Sequence, residues 1–194
     1  MSVEEPAARR SAGPCLVLVT GLPGTGKSTM ADVAADELEA PVLGHDWAMS
    51  GLRPYPEMQD ALDVMGWRGH RGVGWSILWA LARSHLRRGL PVVLDGVARA
   101  PEVAGTRAIA EEEGVPSLIV LTQCGDLQLH RSRIEGRARG IPNWYELEWD
   151  HVARAHSEWV PLEDVDLVLD AVAAASDNAD LLRTTVRGWR AQGD

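Results

Sequence analysis

The stretch CLVLVTGLPGTGKS, residues 15–28, decides the fold of this chain. Its first six residues are a continuous apolar run, which is typical of a strand buried on both faces of a parallel sheet. The next eight residues match the spacing G-x-x-x-x-G-K-[ST] at every position, and a helical pattern begins at Lys27. This order of strand, glycine-rich turn and helix indicates a phosphate-binding loop.

The residues of this loop have separate chemical uses. The three glycines allow backbone conformations closed to residues with a Cβ, so that successive N–H groups can point at phosphate oxygens. The start of the following helix adds unpaired N–H groups and the positive end of its dipole. Lys27 supplies a compact charge on a flexible stem, and it is the single lysine among 19 Lys and Arg residues. The candidate nucleotide-binding residues are Gly21, Gly24, Thr25, Gly26, Lys27, Ser28 and Thr29.

Apolar runs alternate with helical patterns along the rest of the chain, which predicts an α/β protein. We predict strands at 15–20, 41–44, 90–96, 115–124 and 165–172. The predicted helices are 27–38, 73–88, 101–113, 126–140, 146–159 and 176–189. Right-handed crossovers between such strands give a parallel sheet with helices on both faces, and ligands bind beyond the carboxyl ends of its strands.

Length and composition restrict the class of protein. The 194 residues, 45% hydrophobic and 24% charged, suit a single domain at 15–194 after a disordered leader at 1–14. A formal net charge of −9 argues against nucleic acid as a partner. No apolar run suits a membrane span or a signal segment, so we expect no membrane partner and a cytoplasmic protein. Cys15 and Cys124 are expected to be small buried residues and not a disulfide.

Two carboxylates follow predicted strands at the ligand-binding edge. Asp95 ends a buried run, and a carboxylate there can hold Mg²⁺, although turns and helix caps also use aspartate. Asp46 follows the second strand, where a carboxylate can orient a hydroxyl group and accept its proton. Asp46 as the cap of a following turn, or the adjacent His45 as the base, are alternatives. Neighbours on a strand point to opposite faces, which favours Asp46 over His45.

An arginine-rich helix is predicted over 126–140. A spacing of four residues places Arg133 and Arg137 on one face of this helix, and Gly136 and Gly140 are candidate hinges. The alternative interpretation is a solvated charged helix whose arginines pair with nearby glutamates.

Residues 47–72 contain two prolines and four glycines, and we predict no long element there. Loops with aromatic and arginine residues over a rigid sheet tend to carry specificity, so this segment has the composition of a substrate cover. The tryptophans are equally candidates for the core, Trp75 and Trp79 on the next helix above all. The candidate substrate residues are Asp46, Trp47, Arg53, Tyr55 and Arg99.

The complete motif within this alternation resembles the P-loop NTPase superfamily. The opening GLPGTGKST, residues 21–29, and the chain length are similar to its small-molecule kinase branch, in particular to AAA-33-like, zeta-toxin-like and chloramphenicol phosphotransferase-like kinases. The resemblance covers most of residues 15–175. It implies a three-layer sandwich whose parallel five-stranded sheet has the order 2-3-1-4-5, bound ATP and Mg²⁺, and a mobile helical lid at about 126–145.

The resemblance also implies roles for individual side chains. Ser28 and Asp95, the latter similar to a Walker-B acid, hold the metal ion. Lys27, Arg133 and Arg137 act on the transferring phosphoryl group, and Asp46 is the base that receives the proton of the attacking hydroxyl.

These patterns lead to one main functional hypothesis and two alternatives. The main hypothesis is a kinase that transfers the γ-phosphoryl group of MgATP to a hydroxyl of a small molecule, such as a nucleoside or nucleotide, a sugar or an antibiotic-like metabolite. The alternatives are a polynucleotide 5′-hydroxyl kinase and a non-kinase ATPase with a regulatory role. The sequence leaves the acceptor and the oligomeric state open.

Overall fold

A computed structural model describes residues 13–191 of the protein, and a five-stranded parallel sheet lies at its centre. The sheet has the order β2-β3-β1-β4-β5, which confirms the prediction. Its strands are β1 (Leu16–Thr20), β2 (Val42–Gly44), β3 (Val92–Asp95), β4 (Ser117–Gln123) and β5 (Leu167–Asp170). The predicted leader, residues 1–14, lies outside the described residues up to position 12.

Seven helices surround the sheet in the described part of the chain. They are α1 (Lys27–Leu38), α2 (His45–Ser50), α3 (Pro56–Leu86), α4 (Ala100–Glu112), α5 (Leu127–Ile134), α6 (Trp149–Ser157) and α7 (Ala175–Arg190). Helices α1 and α7 pack on one face of the sheet and α3 and α4 on the other, because alternate residues of each strand point to opposite faces.

The core therefore has two halves that meet at the central strand β1. Val17 and Val19 of β1 pack with residues of α1 and α7, whereas Leu16 and Leu18 pack with residues of α3 and α4. All four are fully buried, and burying a side chain of this size stabilises the fold by about 1.5–3 kcal/mol. Trp75 belongs to the second half of the core, as expected. This rigid sheet fixes the positions of the loops at its carboxyl edge.

The prediction for residues 47–72 was wrong, because most of this segment is helical. Helix α2 begins at His45, and α3 begins at Pro56, where a proline in the first turn removes no intrahelical hydrogen bond. Gly66 interrupts α3 with a φ of 65°, outside the helical region, so α3 consists of two helical parts joined at a kink. His45 and Asp46 are consequently the first residues of a helix and not neighbours on a strand.

The prediction of a helix over 126–140 was also wrong in its second half. Helix α5 ends at Ile134, Glu135 has an extended backbone, and Gly136 has a φ of 75°. A glycine in the left-handed region after the last turn is a common way for a helix to end. Arg137 therefore lies outside the helix, and Arg133 and Arg137 do not share a helix face. The segment from 135 to 148, called here the 135–148 segment, is a non-helical loop.

Both cysteines are free. Cys15 is buried, and burial raises the pKa of its thiol to about 11, which makes it unreactive. Between residues 13 and 191, no helix combines the length and the apolar character that crossing a bilayer demands.

Candidate active site

The backbone of the phosphate loop has the conformation that its glycines allow. Gly21, Gly24 and Gly26 have φ values of 142°, 86° and 87°. A Cβ on Gly21 would lie 2.0 Å from the carbonyl oxygen of Thr122, and one on Gly24 would lie 2.7 Å from Ile134. The first two glycines are therefore required by both φ and space, and Gly26 by φ alone.

Side chains from outside the loop hold it in place. The Thr25 hydroxyl donates to the Leu22 carbonyl over 2.7 Å and lies 2.7 Å from the hydroxyl of Thr122 at the end of β4. His130 of α5 is buried, and its Nε2 donates to the Pro23 carbonyl over 2.7 Å. The sequence motif predicted Thr25 but neither Thr122 nor His130, because these two meet the loop only through the fold.

Lys27, Ser28 and Asp95 lie together at the carboxyl edge of β1 and β3. The Lys27 ammonium donates to the Leu22 carbonyl over 3.2 Å, and the Ser28 hydroxyl donates to Asp95 Oδ2 over 2.7 Å. Burial lowers the pKa of Lys27, against the opposing charges of Asp95 and Asp46. Burial raises the pKa of Asp95, against the charge of Lys27 and the hydrogen bond from Ser28. The site thus holds a desolvated ammonium and a desolvated carboxylate, which a bound anion and a bound cation would stabilise.

The Ser28–Asp95 pair fits a magnesium ion by the chemistry of its donors. Mg²⁺ prefers oxygen ligands and is usually held in nucleotide sites by one or two protein groups, water and phosphate oxygens. Among residues 13–191 there is no cluster of three or more acidic, histidine or cysteine side chains that would form an all-protein metal cage. The residues present therefore suit a metal ion that arrives with a phosphate ligand.

Asp46 lines the same cleft, close enough to Lys27 and Asp95 for its charge to act on both. Arg139 donates to Asp46 Oδ2 through Nη1 over 2.5 Å and to the Tyr145 carbonyl through Nη2 over 2.6 Å. Burial, the largest influence, raises the pKa of Asp46, but His45, Arg139 and Lys27 together hold it below its usual value. Asp46 is therefore a carboxylate kept in its ionised form.

His45 is hydrogen-bonded through one of its ring nitrogens. Its Nε2 lies 3.2 Å from the Arg71 carbonyl, to which it donates, whereas its Nδ1 faces Asp46 Oδ1 at 3.6 Å, longer than a hydrogen bond. The ring also packs near Trp75 in the core, with 5.7 Å between ring centroids. The second nitrogen of His45 is therefore directed at Asp46.

A cleft of about 810 Å³ connects the phosphate loop with Asp46. It contains most of the residues that the sequence singled out: Gly24, Thr25, Gly26, Lys27, Ser28, Thr29, His45, Asp46, Trp47, Asp95, Arg133 and Arg137. It also contains Arg139, which was not among the predicted site residues because an isolated arginine carries no motif.

Two of the predicted lid arginines reach the cleft in different ways. Arg133 donates to the Ala171 carbonyl over 2.8 Å, beyond the end of β5, whereas Arg137 lies on the 135–148 segment. Arg137 and Arg139 both line the cleft with Lys27, and after burial their charges are further influences that lower the pKa of its ammonium.

Three predicted substrate residues lie outside the lining of the open cleft. Arg53 and Tyr55 belong to the turn between α2 and α3, and Tyr55 is 59% exposed. Arg99 precedes α4, and its Nη1 donates to the Glu158 carbonyl over 3.0 Å. The Arg99 side chain is thus engaged with the backbone after α6.

The comparison with known families agrees with this geometry. The family described as an AAA domain (AAA_33) matches residues 16–158, from β1 to the end of α6. The protein belongs to this family. No curated protein matches the chain.

Solved structures with the same fold include small-molecule kinases. The structure of APE1195 is 25% identical with a TM-score of 0.64, over 92% of this chain and 96% of that chain. A gluconokinase from Sinorhizobium meliloti 1021 is 16% identical with a TM-score of 0.63, over 95% and 97%. The APS kinase of Mycobacterium tuberculosis, in complex with AMPPNP and APS, is 20% identical with a TM-score of 0.61, over 91% and 98%. The fold is that of P-loop kinases.

Proposed function

We propose that the protein is a kinase that transfers the γ-phosphoryl group of MgATP to a hydroxyl group of a small molecule. The observation that carries this proposal is the position of Asp46, an ionised carboxylate in the same cleft as the phosphate loop and separate from the Ser28–Asp95 pair. A site that only binds a nucleotide has no need of this second carboxylate, whereas an attacking hydroxyl or water needs a group that orients it.

The phosphate side of the site binds and orients the nucleotide. The N–H groups of the loop and the start of α1 point toward the phosphates, and the Lys27 ammonium adds a desolvated charge beside them. Ser28 and Asp95 would hold Mg²⁺, which offsets negative charge on the β- and γ-phosphates when it is bound. Preorganised charges of this kind are the largest source of rate enhancement in phosphoryl transfer.

The acceptor side of the site handles the proton. Asp46 accepts a hydrogen bond from the acceptor hydroxyl and orients its oxygen toward the γ-phosphorus. As the new O–P bond forms and the bond to the leaving ADP oxygen breaks, the hydroxyl proton passes to Asp46. Asp46 is preferred to His45 for this role, because the Asp46 side chain is 39% exposed, whereas that of His45 is 12% exposed and bonded through Nε2 to the Arg71 carbonyl.

Incubation with MgATP and pooled hydroxyl compounds tests the proposal. We expect ADP release to depend on one pool and a product heavier by one phosphoryl group to be found by mass spectrometry. A regulatory ATPase would instead release ADP at the same slow rate with every pool, and a polynucleotide kinase would respond to oligonucleotides with a free 5′-hydroxyl. Either result would replace the proposed function.

We predict that nucleotide binding orders the 135–148 segment. Arg137 is exposed on this segment and its charge lies near Lys27, so bound phosphates should attract it and slow cleavage after it by trypsin. A non-hydrolysable ATP analogue with Mg²⁺ should also change the fluorescence of Trp144. Cleavage after the exposed Arg88, beyond α3, serves as the control that should not change. Unchanged cleavage after Arg137 at saturating nucleotide would make the segment a static loop.

Replacing Arg139 by glutamine should shift the pH dependence of the reaction. Burial, the largest influence, raises the pKa of Asp46, and the charge of Arg139 is one of the influences that lower it, so losing that charge raises the pKa. A base works only when ionised, and the acid limb of kcat against pH should therefore move to higher pH. Arg131→Gln, which removes only an exposed pair with Glu135, is the control. If the acid limb does not move, the charge of Arg139 does not influence the ionisation of the base.

A further inference from the structure

Arg53 is a partly buried cation without a counterion. Among residues 13–191, no carboxylate lies within 4.0 Å of its guanidinium and no side-chain hydrogen bond engages it, and its Nε is buried without a partner. Burying an unpaired charge is costly, and arginines in this position are normally paired. By contrast, Arg139 has Asp46 and Glu146, and Arg71 has Glu102.

Arg53 lies beside the acceptor side of the cleft. Arg139 bonds both Asp46 and the Tyr145 carbonyl, and the Arg53 guanidinium lies 5.5 Å from the centre of the Tyr145 ring. A single residue thus separates Arg53 from the arginine that contacts Asp46. Burial raises the pKa of the Tyr145 hydroxyl, and the charges of Asp46, Arg139 and Arg53 also act on it, so these groups lie near one another at the edge of the cleft.

Two aromatic rings of the 135–148 segment pack beside Arg53. Trp144 and Tyr145 are stacked with their centroids 4.9 Å apart, and Arg53 lies 5.2 Å from the Trp144 ring. The imidazole of His70 on α3 lies 6.1 Å from the same ring. A guanidinium against aromatic faces is partly stabilised, but its N–H groups keep their capacity to bind an anion in a forked geometry.

We propose that Arg53 binds an anionic group of the acceptor, a carboxylate or a phosphate, at a distance from the hydroxyl that faces Asp46. The inference rests on the proposed function and names the class of substrate: a hydroxy acid or a phosphorylated hydroxy compound. The negative Asp46 cannot supply the missing counterion for Arg53, because Arg139 already pairs with it. A bound anionic acceptor supplies the missing counterion of Arg53, and this contact orients the acceptor.

Inorganic phosphate tests the site without turnover. The nucleotide site is first saturated with a magnesium-bound non-hydrolysable ATP analogue, and phosphate is then titrated against chloride of equal ionic strength while tryptophan fluorescence is followed. We expect a saturable change that weakens by roughly ten- to a hundredfold in Arg53→Gln, as befits the loss of charged hydrogen bonds. Arg53→Lys should retain part of the binding, because it keeps the charge but loses the fork. The exposed Arg88→Gln should bind as wild type does.

The absence of saturable phosphate binding in the wild type, or its persistence in Arg53→Gln, would overturn the proposal and make Arg53 a support for the aromatic rings. A parallel assay compares hydroxy acids and sugar phosphates with the corresponding amides and unphosphorylated sugars as acceptors. Phosphorylation of the charged members, with a KM that rises in Arg53→Gln at unchanged affinity for MgATP, supports it. Preference for uncharged acceptors overturns it, while a failure of all phosphoryl transfer would overturn the kinase assignment and leave the phosphate titration to decide on Arg53.

Discussion

Replacing Lys27 by alanine is expected to weaken MgATP binding roughly ten- to a hundredfold, and to lower turnover by a further factor on the order of 10²–10³. The loss of affinity is that expected for a lost hydrogen bond to a charged group. The loss of turnover is that expected for a lost preorganised donor to the transition state. The structure adds a reason for a large effect. Lys27 is desolvated between the carboxylates of Asp95 and Asp46, and without it these negative charges face the phosphates uncompensated.

The measurement is the dissociation constant of a non-hydrolysable ATP analogue with Mg²⁺, alongside kcat. Lys27→Arg is the matched variant, because it keeps the charge but replaces a compact ammonium on a flexible stem by a larger planar fork. As Lys27 is the only lysine in the chain, a lysine-directed ATP probe should label a single side chain and be blocked by excess ATP. Undiminished nucleotide affinity in Lys27→Ala would refute the assignment of the phosphate loop.

Replacing Asp46 by asparagine is expected to lower kcat by roughly 10²–10⁴-fold, or about 3–5 kcal/mol of transition-state stabilisation. Affinity for MgATP should change little, because Asp46 lies on the acceptor side. The lower end of the range is expected if Asp46 chiefly orients the hydroxyl, since the proton leaves late in a loose phosphoryl-transfer transition state. The loss of the carboxylate also leaves Arg139 with Glu146 as its remaining partner, so this variant should be compared with Arg139→Gln.

Asp95→Asn provides the contrast for Asp46→Asn. Asp95 is bonded to Ser28 at the phosphate loop, so its replacement should weaken the magnesium-dependent use of ATP with every acceptor, water included. Asp46→Asn should leave slow hydrolysis by water intact and reduce transfer to the hydroxyl alone. A near-normal kcat in Asp46→Asn with the true acceptor would be incompatible with its role as the base.

The phosphate loop and the sheet could be predicted because their signals are local in the sequence. The apolar run before Gly21 and the motif up to Ser28 fix a strand, a turn and a helix start without help from distant residues. The strand order came with the resemblance to P-loop kinases, and the structure has the same order. Asp46 and Asp95 were found because they follow strands, and the carboxyl ends of parallel strands meet at one edge.

The remainder of the site depends on contacts that no short pattern encodes. Arg139 reaches Asp46 from a position 93 residues later in the sequence, and the helical spacing used for 126–140 selected Arg133 and Arg137 instead. Two glycines were interpreted as hinges of that helix, yet Gly136 follows its end. In 47–72 the opposite error occurred, since the chain is helical on both sides of Gly66 in spite of the low helix propensity of Gly69 and Gly72.

The side-chain hydrogen bonds that hold the phosphate loop affect the thermodynamics of nucleotide binding. Because Thr25 is tied to Leu22 and Thr122, and Pro23 to His130, contacts within the chain hold the loop in the positive-φ conformation of its glycines. The conformational entropy of ordering those residues is lost when the chain folds and not when the ligand binds. Nucleotide binding should therefore cause only a small loss of conformational entropy in the loop. The entropy loss that calorimetry detects should come from ordering of the 135–148 segment.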